Sequence, residues 1–431
     1  MRLLRLEAYL ELLKPAELRV MAQHLGFKQP DIHRERMSAF ICSALREPAS
    51  LRSALKELGE GELVILDYIV TRGLIFFELR EVPHLLRHIK LKGDPVRPIE
   101  RLGQLGVLFP LEARGRAPFL SVPRELHNEI ARFLNDSGYY CPAPAEAPPE
   151  MVVSHGLDLL RDLYACLAFM RQEGEVRLTQ KGMVMKRTYD RLAKGLARSQ
   201  EDFPLESQPW GLPVFPDRFS LLTGYLLDRG LWQSQRDRWV PGERQTAWLA
   251  LPYLAQLEDL FAYLYQKYVR RGTGAYQNVS LYLLNALKRF ELDRWYPVTA
   301  LSEQMLAYPS DGRAGLDPEI LSAACQGLLR VLMYLGMVEL GGTKGKPRAT
   351  HFRLSSRYAH VSGLQRLESL GGERTTEGGL VVQPNFELVV FSEADLSVGL
   401  GLARFCELIS ADRVAHYRIT RESAYRAMEE G

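Results

Sequence analysis

A chain of 431 residues, 46% hydrophobic and 25% charged, is long enough for about two to four packed domains, because single cores stop growing well below this size. Its five cysteines, Cys42, Cys141, Cys166, Cys325 and Cys406, form no CxxC pair or metal-ligand cluster, which argues against a disulfide framework and points to a reducing, cytoplasmic setting. A net charge of +3 neither demands nor forbids nucleic acid, so a binding surface has to come from local clustering.

The first segment, "MRLLRLEAYLELLKPAEL", reads as an amphipathic helix, since Glu7, Glu11 and Lys14 interrupt any signal-peptide core. No apolar run reaches the roughly 18 residues of a membrane span, so no membrane partner is expected. Three later segments share one grammar: an apolar helix end, a glycine, a short strand, a basic turn and a second strand. They start at Leu102, Leu226 and Leu332. Gly106, Gly230 and Gly336 suit left-handed helix caps, and the β-rich pairs that follow read as hairpins. Helices feeding a terminal hairpin are the pattern of a winged helix. Three such units are expected, over 59–137, 151–255 and 256–362. The proline-rich "CPAPAEAPPE" forms an extended linker within 138–150.

In the middle unit a short strand and Gly182 precede a basic helix within 177–196. In the third, Asp317 and Pro318 predict the N-cap and first residue of a long helix. Prolines 204, 209, 213 and 216 mark a long loop. A further break falls in "GLQRLESLGGERTTEGG", and a small α+β domain follows over 378–431. The fold class expected is mainly α with small β-hairpins, about half of the chain being helical.

Enzyme motifs are not recognisable in this sequence. "LGGTKGKPRAT" resembles a phosphate loop only superficially: Leu340 replaces the first glycine and Pro347 the Ser/Thr. HExxH, GxSxG and GxGxxG do not occur, and the nine histidines are dispersed. A non-catalytic protein without cofactor or metal is therefore expected.

Cations cluster in two places. From Arg171 to Arg198 eight of them face three acids. Lys181 and Lys186 lead into Arg187, Arg191, Lys194 and Arg198, which recur at helical spacing and suit a phosphate backbone. The third hairpin carries Lys344, Lys346 and Arg348, followed by Arg353 and Arg357, with no acid from Leu340 to Arg357. Phosphate contact and an ordinary solvated hairpin both remain open there. At the other tips, with Arg114 and Arg116, and with Arg236, Arg238 and Arg244, acids intervene and a solvated hairpin is favoured. In "YLYQKYVRRGTGAY" the cations Lys267, Arg270 and Arg271 suit a helix C-terminus, and the tyrosines have core-like spacing.

The segment "GGLVVQPNFELVV" reads as a strand broken near Pro384. With "LARFCELIS" taken as a helix, "VAHYRIT" as a strand and "RESAYRAMEEG" as a closing helix capped by Thr420, it resembles the domain near the N-terminus of XPB-type DNA repair helicases and in bacterial helicase-associated proteins. The segments "KPAELRVMAQHLGF" and "RMSAFICSAL", within 1–58, resemble the SAP-like helical region of the latter. Related proteins usually continue beyond the point matching Gly431, so an incomplete domain is one reading. The resemblance implies a DNA-binding accessory protein that works beside a helicase or nuclease in DNA repair or genome defence. Gln383, Pro384 and Asn385 are read as a turn satisfying its own backbone rather than as a contact site. A winged-helix interaction scaffold and a transcription regulator are the alternatives.

Overall fold

The computed structural model describes residues 5–28, 33–74, 77–88, 90–91, 94–111, 119–139, 141–197, 203, 214–269, 278–306, 317–346, 348–368, 379–391, 394–411 and 414–430. Arg114, Arg116, Arg198, Arg270, Arg271, Pro204, Pro209, Pro213, Pro347 and the break from 369 to 378 lie outside the described residues. The described chain is mainly helical with four small antiparallel sheets.

Four helices come first: α1 (Leu6–Leu12), α2 (Pro15–His24), α3 (Arg34–Arg46) and α4 (Pro48–Leu55). Pro15 starts α2 at a position where no intrahelical N–H is needed, and Glu17 closes back on the Lys14 amide at 2.6 Å. The next elements are α5 (Glu60–Arg72), β1 (Phe77–Glu78), α6 (Val82–His88), α7 (Val96–Gln104), β2 (Phe109–Leu111), β3 (Phe119–Ser121) and α8 (Arg124–Asp136). Leu6, Leu18, Ile41 and Leu51 pack in one core with Ile65, Leu102 and Leu126. The region 1–58 and the first unit are thus a single packed body, where the sequence suggested two.

The second unit runs through α9 (Asp158–Glu173), β5 (Val176–Arg177), α10 (Lys186–Ala193), α11 (Arg218–Asp228), β6 (Trp232–Gln235) and β7 (Arg238–Pro241). The short α12 (Gln245–Leu249) and α13 (Tyr253–Leu264) follow, α13 ending in a π-helical turn, Tyr265–Val269. The third unit contains α14 (Val279–Ala286), a 3₁₀ turn at Leu287–Arg289, β8 (Trp295–Pro297), α15 (Val298–Leu306), α16 (Pro318–Tyr334), β9 (Val338–Gly342), β10 (His351–Leu354) and the short α17 (Ser356–Val361). Asp317 caps α16 by accepting from the Glu319 amide at 2.9 Å, with Pro318 first in the helix as expected.

All three units repeat one element order: helix, strand, helix, helix, strand, strand. In each sheet the last strand lies between the other two: β1-β3-β2, β5-β7-β6, and β8-β10-β9. Gly106, Gly230 and Gly336 leave the third helix of each unit with φ of +72°, +69° and +66°, the left-handed step that makes room for the hairpin. The second and third units share one apolar core.

The proline-rich connection differs from expectation. It is extended but docked: the Ala145 amide donates to the Trp295 carbonyl at 2.7 Å, and Pro149 packs on Gly341, where an added Cβ would stand 2.2 Å from the proline ring. The strand β4 (Met151–Val153) then pairs with β9, so 151–153 belongs to the third unit's sheet and not to the second unit. The physical reason is the open edge of β9, whose unpaired backbone groups the extended segment satisfies.

A buried polar seam joins the first and third units. Arg289 and Asp67, both fully buried, pair at 2.7 Å. Arg289 also donates to Asn135 Oδ1 and the Tyr139 carbonyl. Lys288 Nζ donates to Asn128 Oδ1 at 2.9 Å, and burial pulls its pKa down to about 8.

The C-terminal unit has its own small core around Leu388, Leu402, Cys406 and Tyr417. Its elements are β11 (Leu380–Val382), β12 (Glu387–Phe391), α18 (Ser397–Leu402), β13 (Glu407–Ala411), β14 (Val414–Arg418) and α19 (Arg421–Glu430), with sheet order β11-β12-β14-β13. "VVQPNFELVV" is therefore a hairpin: the Gln383 amide donates to the Glu387 carbonyl at 2.7 Å, Phe386 takes φ +65°, and Asn385 Oδ1 accepts from the Glu387 amide at 3.3 Å. Thr420 caps α19, its hydroxyl accepting from the Ser423 amide at 3.1 Å. "LARFCELIS" is not a helix. α18 ends at Leu402 after Gly399 and Gly401, weak helix formers, and Glu407–Ala411 pairs with β14 instead. Among the described residues no helix is long and apolar enough to cross a membrane.

Candidate nucleic-acid interface

Lys181, Lys186 and Arg187 are brought together by a small turn. Leu178 and Val184 form a β-bridge, the Gly182 amide donates to the Thr179 carbonyl at 2.8 Å, and Gly182 takes φ +77°. Lys181 stands at this tip. Lys186 and Arg187 open α10, all three are exposed, and Met183, Met185 and Tyr189 are exposed beside them. The first turn of α10 contains no acid. Two cations there oppose the positive end of the helix dipole, an arrangement that costs a few tenths of a kcal/mol and favours an incoming anion.

The rest of the stripe is shorter than its spacing suggested. α10 ends at Ala193, so Lys194 is the cap residue rather than part of a helical face. Arg191 is exposed but ion-paired with Glu173, and its guanidinium lies 5.8 Å from the Phe169 ring centre. Leu192 and Leu196 are buried. Arg191 and Lys194 also border a cleft of about 400 Å³ whose other wall is the C-terminal unit, including Asp395 and Leu408. Gln172 Nε2 bridges the two units by donating to the Ala403 and Cys406 carbonyls at 3.2 and 2.8 Å.

The third hairpin carries Lys344, Lys346 and Arg348 exposed on the turn between β9 and β10. Its neighbours Arg353 and Arg357 are withdrawn from it. Arg353 pairs with Glu339 and covers the Trp295 ring at 4.8 Å, while Arg357 is half-buried and donates to the Gly336 carbonyl at 3.0 Å. An acid also reaches the tip from the docked connection, Glu150 accepting from the Lys344 amide at 3.3 Å. The two cation groups lie on different sheets, those of the second and third units.

The third helices of the units differ in exposure. In α11 only Ser220 and Asp228 are exposed, because α13 lies across it: Tyr225 donates to Asp259 at 2.6 Å and meets the Tyr263 ring at 5.3 Å. Lys267 is ion-paired with Asp228. In α16 exposure is confined to Pro318, Glu319 and Ser322. α7 alone of the three exposes a continuous side, formed by Val96, Arg97, Glu100, Arg101 and Gln104. Sequence reading overlooked this helix because it carries few cations; the signal was the alternation of Pro98, Leu102 and Leu105 with those polar residues.

Large apolar side chains are exposed in the C-terminal unit, with Phe386 at 66% and Met428 at 79% and Val382 and Tyr425 close to these values. Among the described residues no group of three or more His, Cys, Asp or Glu could hold a metal ion. All five cysteines are free thiols, and Cys141 is the one not buried. No protein-family model matches the chain, and no curated protein sequence matches it.

Proposed function

We propose that this is a non-catalytic, cytoplasmic DNA-binding accessory protein built from three winged-helix units and an XPB-like C-terminal unit. It acts beside a helicase or nuclease in DNA repair or genome defence and contacts mainly the phosphate backbone. The repeated helix–strand–helix–helix–strand–strand order, with the last strand central in each sheet, supports the winged-helix reading. The hairpin, the strand pair and the Thr420-capped helix support the XPB-like one. Free cysteines are in keeping with a reducing compartment.

The observation that carries DNA binding is the cluster of Lys181, Lys186 and Arg187: three exposed cations at a hairpin tip and at a helix N-terminus with no acid in its first turn. Replacing Lys186 and Arg187 by Glu tests it by duplex-binding titrations at several salt concentrations. Loss of two phosphate contacts should weaken binding to every sequence alike and flatten the slope of log K against log salt by about 1.8. An unchanged affinity and slope would overturn the assignment.

A second reading, a protein-interaction scaffold, is favoured by the exposed Val382, Phe386, Tyr425 and Met428. Failure to bind duplex, single-stranded, forked or damaged DNA at low salt would leave this reading standing.

A further inference from the structure

We infer that the groove between the docked proline-rich connection and α15 takes an extended, basic segment of a partner protein, held through a lysine or arginine side chain and a main-chain carbonyl. The site is separate from Lys181, Lys186 and Arg187 and does not depend on DNA binding.

Two independent observations point to this place. The first is an unanswered donor. Thr299, Ala300, Glu303 and Gln304 stand at i, i+1, i+4 and i+5 on one side of α15, and that side lines a groove of about 790 Å³ whose other wall is the connection. The volume falls in the range of ligand sites, roughly 300–1,000 Å³. Gln304 is only 8% exposed, and its Nε2 has no hydrogen-bond partner among the described residues. Buried amide donors are nearly always satisfied, so one left open in the wall of a groove calls for an acceptor from outside. The first turn of α15 contains no acid, and its positive dipole end favours the same acceptor.

The second observation is charge. Glu146 and Glu150 of the connection and Glu303 of α15 are exposed around the groove, and among the described residues none of the three is in an ion pair. Lys344 meets Glu150 through its amide and not through its ammonium. Pro142, Pro144 and Pro148 add to the wall, and a proline offers a carbonyl but no N–H. Acceptors and negative charge therefore dominate, with one buried donor among them. The complement is a cation carrying several N–H groups beside a carbonyl, which a lysine or arginine in an extended chain supplies. A polyamine lacks the carbonyl, and a phosphate backbone is repelled by the carboxylates. An amphipathic helix finds no anchor, since the described lining contains no leucine, isoleucine, valine, methionine or phenylalanine. The wall is also fixed in advance: the Ala145 amide is tied to the Trp295 carbonyl and Pro149 is seated on Gly341, so binding does not have to order it.

The test is selection of peptides from a displayed library of random decapeptides by the full chain, followed by fluorescence-anisotropy titration of an enriched peptide with spermidine as competitor. Enriched peptides should share a lysine or arginine at one recurrent position. Glu146→Gln/Glu303→Gln should weaken the peptide about tenfold and reduce the salt dependence of its binding. Gln304→Met keeps the length of the side chain and removes the donor, and it should weaken the peptide about fivefold. Its thermal unfolding midpoint should be unchanged or raised, because the free protein has no hydrogen bond to lose there. A clear fall in that midpoint would mean that Gln304 is bonded within the protein and would overturn the proposal. Enrichment of no peptide, or of acidic or wholly apolar ones only, would do the same, as would unchanged binding in both variants. Displacement of the peptide by an equal concentration of spermidine would reduce the groove to a patch for small cations and would also overturn it.

Discussion

The helices α7 and α16 occupy the same place in the same order of elements, yet one meets solvent along a whole side and the other almost nowhere. α16 is enclosed because its own unit and the second unit both press on it. Arg330 donates to the Pro216 carbonyl at 3.1 Å, the His155 ring meets Tyr334 edge-on at 5.7 Å, and Gly336 lies against Gly156. Nothing equivalent is seen over the outer side of α7 among the described residues. Position in a repeated topology therefore does not decide a helix's role; what docks on it afterwards does. A repeat whose third helix has been absorbed into the core serves as support, and one left open is available to a ligand.

The contrast can be broken most sharply at the seam between the two units. Replacing Arg289 with Ala breaks its fully buried ion pair with Asp67 and removes the donor to Asn135 and the Tyr139 carbonyl, and breaking a buried pair costs about 3–5 kcal/mol, read as a fall in the urea midpoint. A loss below about 1 kcal/mol would mean that the units are only loosely joined. Next in size is Leu328→Ala in α16, where the side chain is fully buried and the cavity should cost about 2–5 kcal/mol.

The seam also predicts a pH dependence. His127 on α8 is buried with its Nε2 3.2 Å from the Val122 carbonyl, and burial pushes its pKa down to about 4. The unfolded chain takes up this proton near pH 6.5 and the folded one only near pH 4, so the contribution is complete above pH 6.5 and is lost as pH falls between these values. The loss amounts to roughly 3 kcal/mol. His127→Gln should flatten stability against pH over that window, measured by urea midpoints from pH 7 to pH 4. The smallest effect belongs to α7: Arg97→Ala should change stability by less than about 0.5 kcal/mol, and a larger loss would place Arg97 in the structure rather than on a free surface.

Local features were the legible ones. Gly106, Gly230 and Gly336 marked three helix ends because a left-handed step has few other occupants, and Asp317 with Pro318 marked the start of α16 because capping is a short-range interaction. The cations Lys181, Lys186 and Arg187 are exposed, which a phosphate grip and a solvated face both require. Features that depended on distant partners were not legible. Arg191 is neutralised by Glu173 from the preceding helix, Arg353 by Glu339 across a strand pair, and the polar side of α11 is covered by α13, with Asp228 drawn into pairing with Lys267. The stretch Glu407–Ser410 reads as the end of a helix from sequence, and its pairing with β14 outweighs that weak local preference.

The docking of Pro149 on Gly341 and the entry of β4 into the third sheet mean that the order of units along the chain is not the order in which they can be cut apart. A fragment ending at Val153 would carry away the third unit's edge strand, and one beginning at Asp158 would expose a bare, apolar sheet margin open to pairing between molecules. Repetition here describes the order of elements, whereas the severable pieces are defined by the weave.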